Sequence, residues 1–195
     1  MSQQIEIEFK NLLTRAQYET LLTAFDVAPH QIIRQMNHYF DTPDEHLKHL
    51  ASGLRIRQFP EDIECTLKEK SGEHAHLETT DPLSETEASA MLTDGVVRAP
   101  HVAARLQQLN VPMEQLSLIG TLTTDRVELD YKGGLLVLDH SFYLHCDDYE
   151  VEYETNDETF GKNTFNELLQ QFDIIQQPTP KKLARFMQAL KQQKG

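Results

Sequence analysis

The chain has 195 residues, 39% of them hydrophobic and 25% charged, with 31 acidic against 18 basic side chains and a formal net charge of -13. That length suits one domain over residues 1–195, and the composition is globular, with no apolar run approaching the roughly 18 residues of a membrane span. The acidic balance excludes a general nucleic-acid binder, which works through a basic footprint; an anion would need a local cationic pocket, helped by a metal.

No basic-then-apolar leader opens the sequence, so the expectation is a cytoplasmic protein with neither a nucleic-acid nor a membrane partner. Cys65 and Cys146 are far apart and lack metal spacing, and are expected to be buried thiols.

The first element is the strand IEIEFK, in which Ile5, Ile7 and Phe9 share one face while Glu6, Glu8 and Lys10 share the other. Thr14 with Gln17 reads as a capping box that opens a helix to about Phe25. Strand patterns follow at 31–41, 53–59, 63–70 and 73–80, the last three joined by short turns at ProGluAsp and SerGly, as in an antiparallel meander. Ser84 with Glu87 opens a second helix, and a third is expected near 101–109. A long strand run covers 116–131, a turn falls at Gly133 and Gly134, and strands are expected at 135–140 and 146–155. Two further helices close the chain, the last with Thr179 as N-cap and Pro180 at its first position.

About eight strands, mostly antiparallel and tightly connected, point to a closed barrel, which also removes exposed edges. The fold class is therefore α+β: an eight-stranded antiparallel β-barrel with helices packed outside. Nearly every strand has one charged face. Arg55 and Arg57 oppose Leu54 and Ile56; Lys68 and Lys70 share a face with Glu64 and Thr66; His74, His76 and Glu78 oppose Ala75 and Leu77; Arg126 and Glu128 oppose Val127 and Leu129; Glu150, Glu152 and Glu154 lie together. If these faces met solvent, the helices would have no apolar surface to cover. If they point inward, the barrel encloses an ionic tunnel. The segregation of carboxylate strands at the chain ends from Arg and Lys strands in the middle favours the tunnel, whose charges need water, a metal and a polyanion to neutralise them.

The run Glu6, Glu8, Lys10, the segment NHYFDT at 37–42, LRIR at 54–57, TLK at 66–68, Glu78, Arg126, Leu138 with Asp139, EVEYE at 150–154 and KKLAR at 181–185 together resemble the CYTH superfamily, the triphosphate tunnel metalloenzymes. The resemblance covers nearly the whole chain. It implies a tunnel that binds a triphosphate and divalent metal, in proteins similar to inorganic triphosphatases, thiamine triphosphatases or class IV adenylyl cyclases.

On that reading, Arg55, Arg57, Lys68 and Arg126 bind the phosphates, with Lys182 and Arg185 of the last helix as additions, because basic side chains, and the planar Arg fork above all, suit phosphate oxygens. Carboxylates meet phosphate only through hard cations, so Glu6, Glu8, Glu152, Glu154 and Asp139 are the expected ligands of Mg²⁺ or Mn²⁺. Lys10, Glu8 and Glu152 are the expected catalytic residues: the acids accept a proton from the attacking water, and Lys10 holds the terminal phosphate or organises the carboxylates.

His30, His46, His49, His101 and His145 share no spacing and are expected on the solvated surface, while His74 and His76 share the Glu78 face without an assigned role. Tyr39 and Asp41 read as structural, AspThrPro being a turn opener, and Phe40 as core. Hydrolysis of a small-molecule triphosphate at its terminal phosphate is the default function. The alternatives are an adenylyl cyclase, for which no adenine pocket is marked, and a non-catalytic polyphosphate-binding module, which could dispense with the acids.

Overall fold

The computed structural model describes residues 2–194, with side chains for residues 3–193. Its strands are β1 (Ser2–Leu13), β2 (Ile33–Asp41), β3 (Gly53–Gln58), β4 (Ile63–Lys70), β5 (Ala75–Pro82), β6 (Ser117–Tyr131), β7 (Gly134–Tyr143) and β8 (Cys146–Thr155). Its helices are α1 (Arg15–Ala24), α2 (His46–His49), α3 (Glu85–Asp94), α4 (Pro100–Gln108), α5 (Glu158–Gln171) and α6 (Lys182–Lys194). The strands form a closed antiparallel barrel in the order β1-β5-β4-β3-β2-β6-β7-β8. Within it the chain divides into two compact units, one of residues up to Ile5 and Gln35–Leu122, the other of Glu6–Arg34 and Thr123 onward.

In the first unit the meander β2–β5 runs in a register that sets Arg55 opposite Thr66, Arg57 opposite Glu64, and Lys68 opposite Glu78. The alternate side chains Leu54, Ile56, Cys65 and Leu67 are fully buried with Phe40 against Ala88 and Met91 of α3 and Val102 and Leu106 of α4. Each such leucine or isoleucine contributes about 2 kcal/mol on burial, which fixes the charged side chains on the opposite face. Asp81, at the end of β5, anchors α4: its Oδ2 accepts the backbone N–H groups of His101 and Val102 at 2.8 and 3.0 Å. Asp41 does the same for α2, accepting from the N–H groups of Thr42, Leu47 and Lys48.

In the second unit β6, β7, β8 and β1 pair in turn, with Arg126 opposite Asp139, Asp139 opposite Glu150, Lys10 opposite Glu152 and Glu8 opposite Glu154. Phe9, Val127, Leu136, Leu138, Val151 and Tyr153 face away from these charges and pack on Tyr18 and Leu21 of α1 and Phe165, Leu168 and Leu169 of α5. α5 lies so close that a Cβ on Gly161 would collide with the Thr155 methyl and the Phe9 ring. Among the described residues, no helix is long and apolar enough to cross a membrane.

The two capping boxes form as the sequence predicts, at Thr14 with Gln17 and at Ser84 with Glu87. The last helix differs: it begins at Lys182, and Thr179 does not cap it. The Thr179 hydroxyl instead accepts the Leu12 N–H at 3.1 Å and donates to the Gln177 carbonyl at 3.2 Å. Cys65 is buried as expected, but Cys146 is exposed at the β7–β8 turn. Of the histidines assigned to the surface, His101 and His46 have local structural partners: Asp81 for the first and the Thr42 hydroxyl for the second.

Candidate active site

Alternation along each strand collects polar side chains on the face turned from the helices, so each unit carries a charged face of its own. In the first unit that face is basic at its centre. Arg57 donates from Nε to the Asn37 Oδ1 at 2.9 Å and lies 4.0 Å from Glu64. Lys68 Nζ stands 3.2 Å from Glu78 Oε1, and the Thr66 and Thr80 hydroxyls meet at 3.0 Å. Burial works against the charge of Glu78, yet Arg55, Lys68 and Arg57 hold its carboxyl below the usual range. His76, buried opposite Lys70 on β4, lies two residues from Glu78 on the same face.

In the second unit basic and acidic groups interlock. Arg126 clamps Asp139 with two hydrogen bonds, at 2.8 and 2.7 Å, and reaches Glu152 at 3.1 Å. Lys182, from α6, lies 2.6 Å from Asp139, 2.7 Å from Glu152 and 3.4 Å from Glu150. Arg185, one turn on, forks onto Asp148 at 2.8 and 3.0 Å and pairs with Glu150. Lys10 pairs with Glu8 and stands 3.3 Å from Glu152 and 3.5 Å from Glu150.

These contacts divide the carboxylates. Burial opposes the charge on Glu152 and Asp139, but Lys182 and Lys10 hold Glu152 well below the ordinary range, and Arg126 and Lys182 lower Asp139. Lys10 is pushed well up in spite of burial, by Glu8, Glu152 and Glu150, so it stays an ammonium at neutral pH. Burial lifts Glu150 to about 7, with Lys182 opposing and Glu152 adding to the rise.

Glu154 is different: burial first, then the charge of Glu6, push it up to about 8, with Glu152 and Glu8 adding and Arg126 opposing. Glu6 and Glu8 also bring carboxylate oxygens within 4.8 Å of one another. Glu154 faces Glu8 across the β1–β8 ladder, so three carboxylates gather at this end of the face, and carboxylate oxygens of this kind suit a hard divalent cation. Asp139 and Glu152, named with them from sequence, are each engaged by two or more cationic side chains, whereas Glu8 has Lys10, which it shares with Glu152 and Glu150.

Every site residue named from the sequence lies on one of these two faces or, for Lys182 and Arg185, on α6 against the acidic one. Sequence reasoning missed Asp148, the partner of Arg185, although it continues the two-residue beat of Glu150, Glu152 and Glu154. It also missed Asn37 as the orienting partner of Arg57, which neutral side chains do not announce.

A closed eight-stranded antiparallel barrel with helices outside, one unit carrying a basic face and the other a carboxylate-rich one, defines the class of fold. Residues 4–187 match the family model described as CYTH domain, and the chain belongs to that family. It is 40% identical over 186 residues to YjbK of Bacillus subtilis (strain 168), provisionally named a triphosphatase, with 95% of this chain and 96% of that one covered. It is similar to the crystal structure of a Bacillus halodurans protein provisionally named an adenylate cyclase, at 39% identity and a TM-score of 0.91, covering 95% of this chain and 99% of that one. HpAC1 from Hippeastrum, an adenylyl cyclase candidate described as having a dominant triphosphatase activity, shares the fold at 20% identity and a TM-score of 0.79, with 95% of each chain covered.

Proposed function

We propose that this protein is a metal-dependent cytoplasmic hydrolase that removes the terminal phosphate of inorganic tripolyphosphate or of an organic triphosphate. The observation that carries the reading is the gathering of Glu6, Glu8 and Glu154, with Glu6 and Glu8 oxygens within 4.8 Å of one another and Glu8 opposite Glu154, in the same fold as the basic face of Arg55, Arg57 and Lys68. Their mutual repulsion raises the Glu154 carboxyl beyond the effect of its burial. A folded protein tolerates such repulsion when a cation relieves it on binding. The family relative named as a triphosphatase supports the same reading.

In this proposal Arg55, Arg57, Lys68 and Arg126 hold phosphate oxygens, with Lys182 and Arg185 contributing from α6. Glu6, Glu8 and Glu154 are the metal ligands, and Glu152 and Asp139 complete the acidic surround while positioning Arg126 and Lys182. A bound Mg²⁺ or Mn²⁺ would neutralise phosphate charge and lower the pKa of water. Lys10, kept protonated by its acidic neighbours, stabilises the charge of the departing phosphate; Glu8 accepts the proton of the attacking water; Glu152 fixes the Lys10 ammonium. Catalysis is then mostly positioning and charge neutralisation.

A second reading, an adenylyl cyclase, is favoured by the name given to the 39% identical Bacillus halodurans protein. One assay separates them: release of phosphate, pyrophosphate and cyclic nucleotide from tripolyphosphate and nucleoside triphosphates, with Mg²⁺, with Mn²⁺ and in excess chelator. The hydrolase gives metal-dependent phosphate. Pyrophosphate with cyclic nucleotide would replace it by the cyclase, and binding without turnover would reduce it to a polyphosphate-binding module.

A further inference from the structure

On β2 the residues that share the basic face are Gln35, Asn37 and Tyr39, at every second position. Asn37 is spent on Arg57. Gln35 is just as buried, at 3% exposure, yet its Oε1 has no hydrogen-bond partner among the described residues. A buried amide oxygen left so costs about 1–3 kcal/mol, and such a group is normally matched by a donor.

Its place says which donor. The β2–β3 register runs Tyr39 opposite Arg55, Asn37 opposite Arg57 and Met36 opposite Gln58. The paired register ends there; Gln35 precedes Met36 on β2 and Phe59 follows Gln58 where the chain leaves β3 for the turn. Phe59 lies two residues beyond Arg57, whose guanidinium carbon sits 5.8 Å from the centre of the Phe59 ring. The cations of this face therefore stop at Arg57, and the next row offers a neutral amide and an aromatic ring. The ring does not suit a phosphate, and the unpartnered Gln35 Oε1, an acceptor, calls for a donor that an ionised phosphate lacks. An amide that both donates and accepts, with an aromatic ring at the neighbouring strand end, suits a planar group bearing hydroxyl or amino substituents.

We propose that Gln35 and Phe59 form a subsite for the non-phosphate part of a triphosphate ester, and that they decide between such esters and inorganic tripolyphosphate. The proposal rests on the triphosphatase reading and deepens it: the substrate class becomes nucleoside triphosphates or comparable heterocyclic esters.

The test compares kcat/KM for tripolyphosphate and for ATP, GTP, CTP and UTP in the parent, in Gln35→Met and in Phe59→Leu, with thermal midpoints to confirm folding. Met keeps the length of Gln and removes its hydrogen bonds. Gln35→Met is expected to lower kcat/KM for the preferred nucleoside triphosphate about tenfold, the equivalent of 1.4 kcal/mol, with tripolyphosphate changed less than about twofold; Phe59→Leu should act in the same direction. Equal losses on both substrate classes, or no loss on either, would overturn the subsite. A parent that hydrolyses tripolyphosphate and none of the nucleotides would overturn it too, while leaving the triphosphatase reading intact. A parent that hydrolyses neither ends both.

Discussion

Arg126 and Asp139 face each other across β6 and β7, joined by two parallel hydrogen bonds, with the carboxylate wholly buried. Removing one partner of such a pair leaves a buried charge short of compensation, which costs about 3 kcal/mol or more. Arg126→Met is therefore expected to lower the unfolding free energy by about that amount in urea. Adding Asp139→Leu should recover most of the loss. A single variant within about 0.5 kcal/mol of the parent would show that Lys182 alone suffices for Asp139.

Glu8→Gln keeps the shape of the side chain and removes a charge. Manganese affinity, read by calorimetry, and metal-supported turnover should both fall by about 10- to 100-fold, the scale on which groups supporting a metal act. The metal-free thermal midpoint should stay close to the parent's, because relief of repulsion among Glu6, Glu8 and Glu154 offsets the loss of one of the three carboxylates around Lys10. Unchanged affinity would take β1 out of the metal site.

Arg57→Ala should weaken triphosphate binding by about 1.5–3 kcal/mol, the worth of a hydrogen bond to a charged group, with the fold intact. Asn37→Ala, which frees the Arg57 guanidinium from its 2.9 Å anchor, should cost about 1 kcal/mol by the same measurement. Full affinity in both would mean that the phosphate chain lies elsewhere on the barrel wall.

Glu154 sets a pH dependence. Its carboxyl in the folded protein is raised to about 8 from an ordinary 4.5, so folding favours the protonated form. Its contribution to stability is full below the ordinary carboxylate range and is lost as pH rises through about 8. Glu152 and Asp139, held low, act oppositely and lose their contribution on acidification. Thermal stability in chelator should peak between these limits. A cation needs the ionised carboxylate, so manganese affinity should climb with pH up to about 8 and then level off, and Glu154→Gln should flatten that climb. Equal affinity at the two ends of the window would remove Glu154 from the ligands.

Much of this was legible in the sequence because it is local. The capping boxes at Thr14 and Ser84, the charged beat of IEIEFK and LRIRQF and the AspThrPro turn are all decided within a few residues. What depends on distant chain was not. Thr179 looks like an N-cap until Leu12 takes its hydroxyl, and Cys146 looks like core until the β7–β8 turn carries it outward. The same holds within the site. Sequence named the acids, but which cations each one meets, Arg126 and Lys182 at Asp139 and Glu152 and Lys10 at Glu8, follows from strand register and from where α6 docks. Gln35 and Phe59 escaped notice because uncharged side chains leave no pattern.

The Leu12 to Thr179 hydrogen bond has a rotational meaning. Asn11 adds to it by accepting the Gln177 N–H at 2.8 Å and donating to the Ile175 carbonyl at 3.1 Å. The chain is thus pinned to β1 three residues before Lys182, where α6 starts to wind. A helix advances about 100° per residue, so the distance from pin to helix works as an angular setting that points Lys182 and Arg185 at Asp139, Glu150 and Asp148 together. One residue inserted between Pro180 and Lys182 would swing both cations through about 100° about the helix axis, away from the acids, while altering neither side chain.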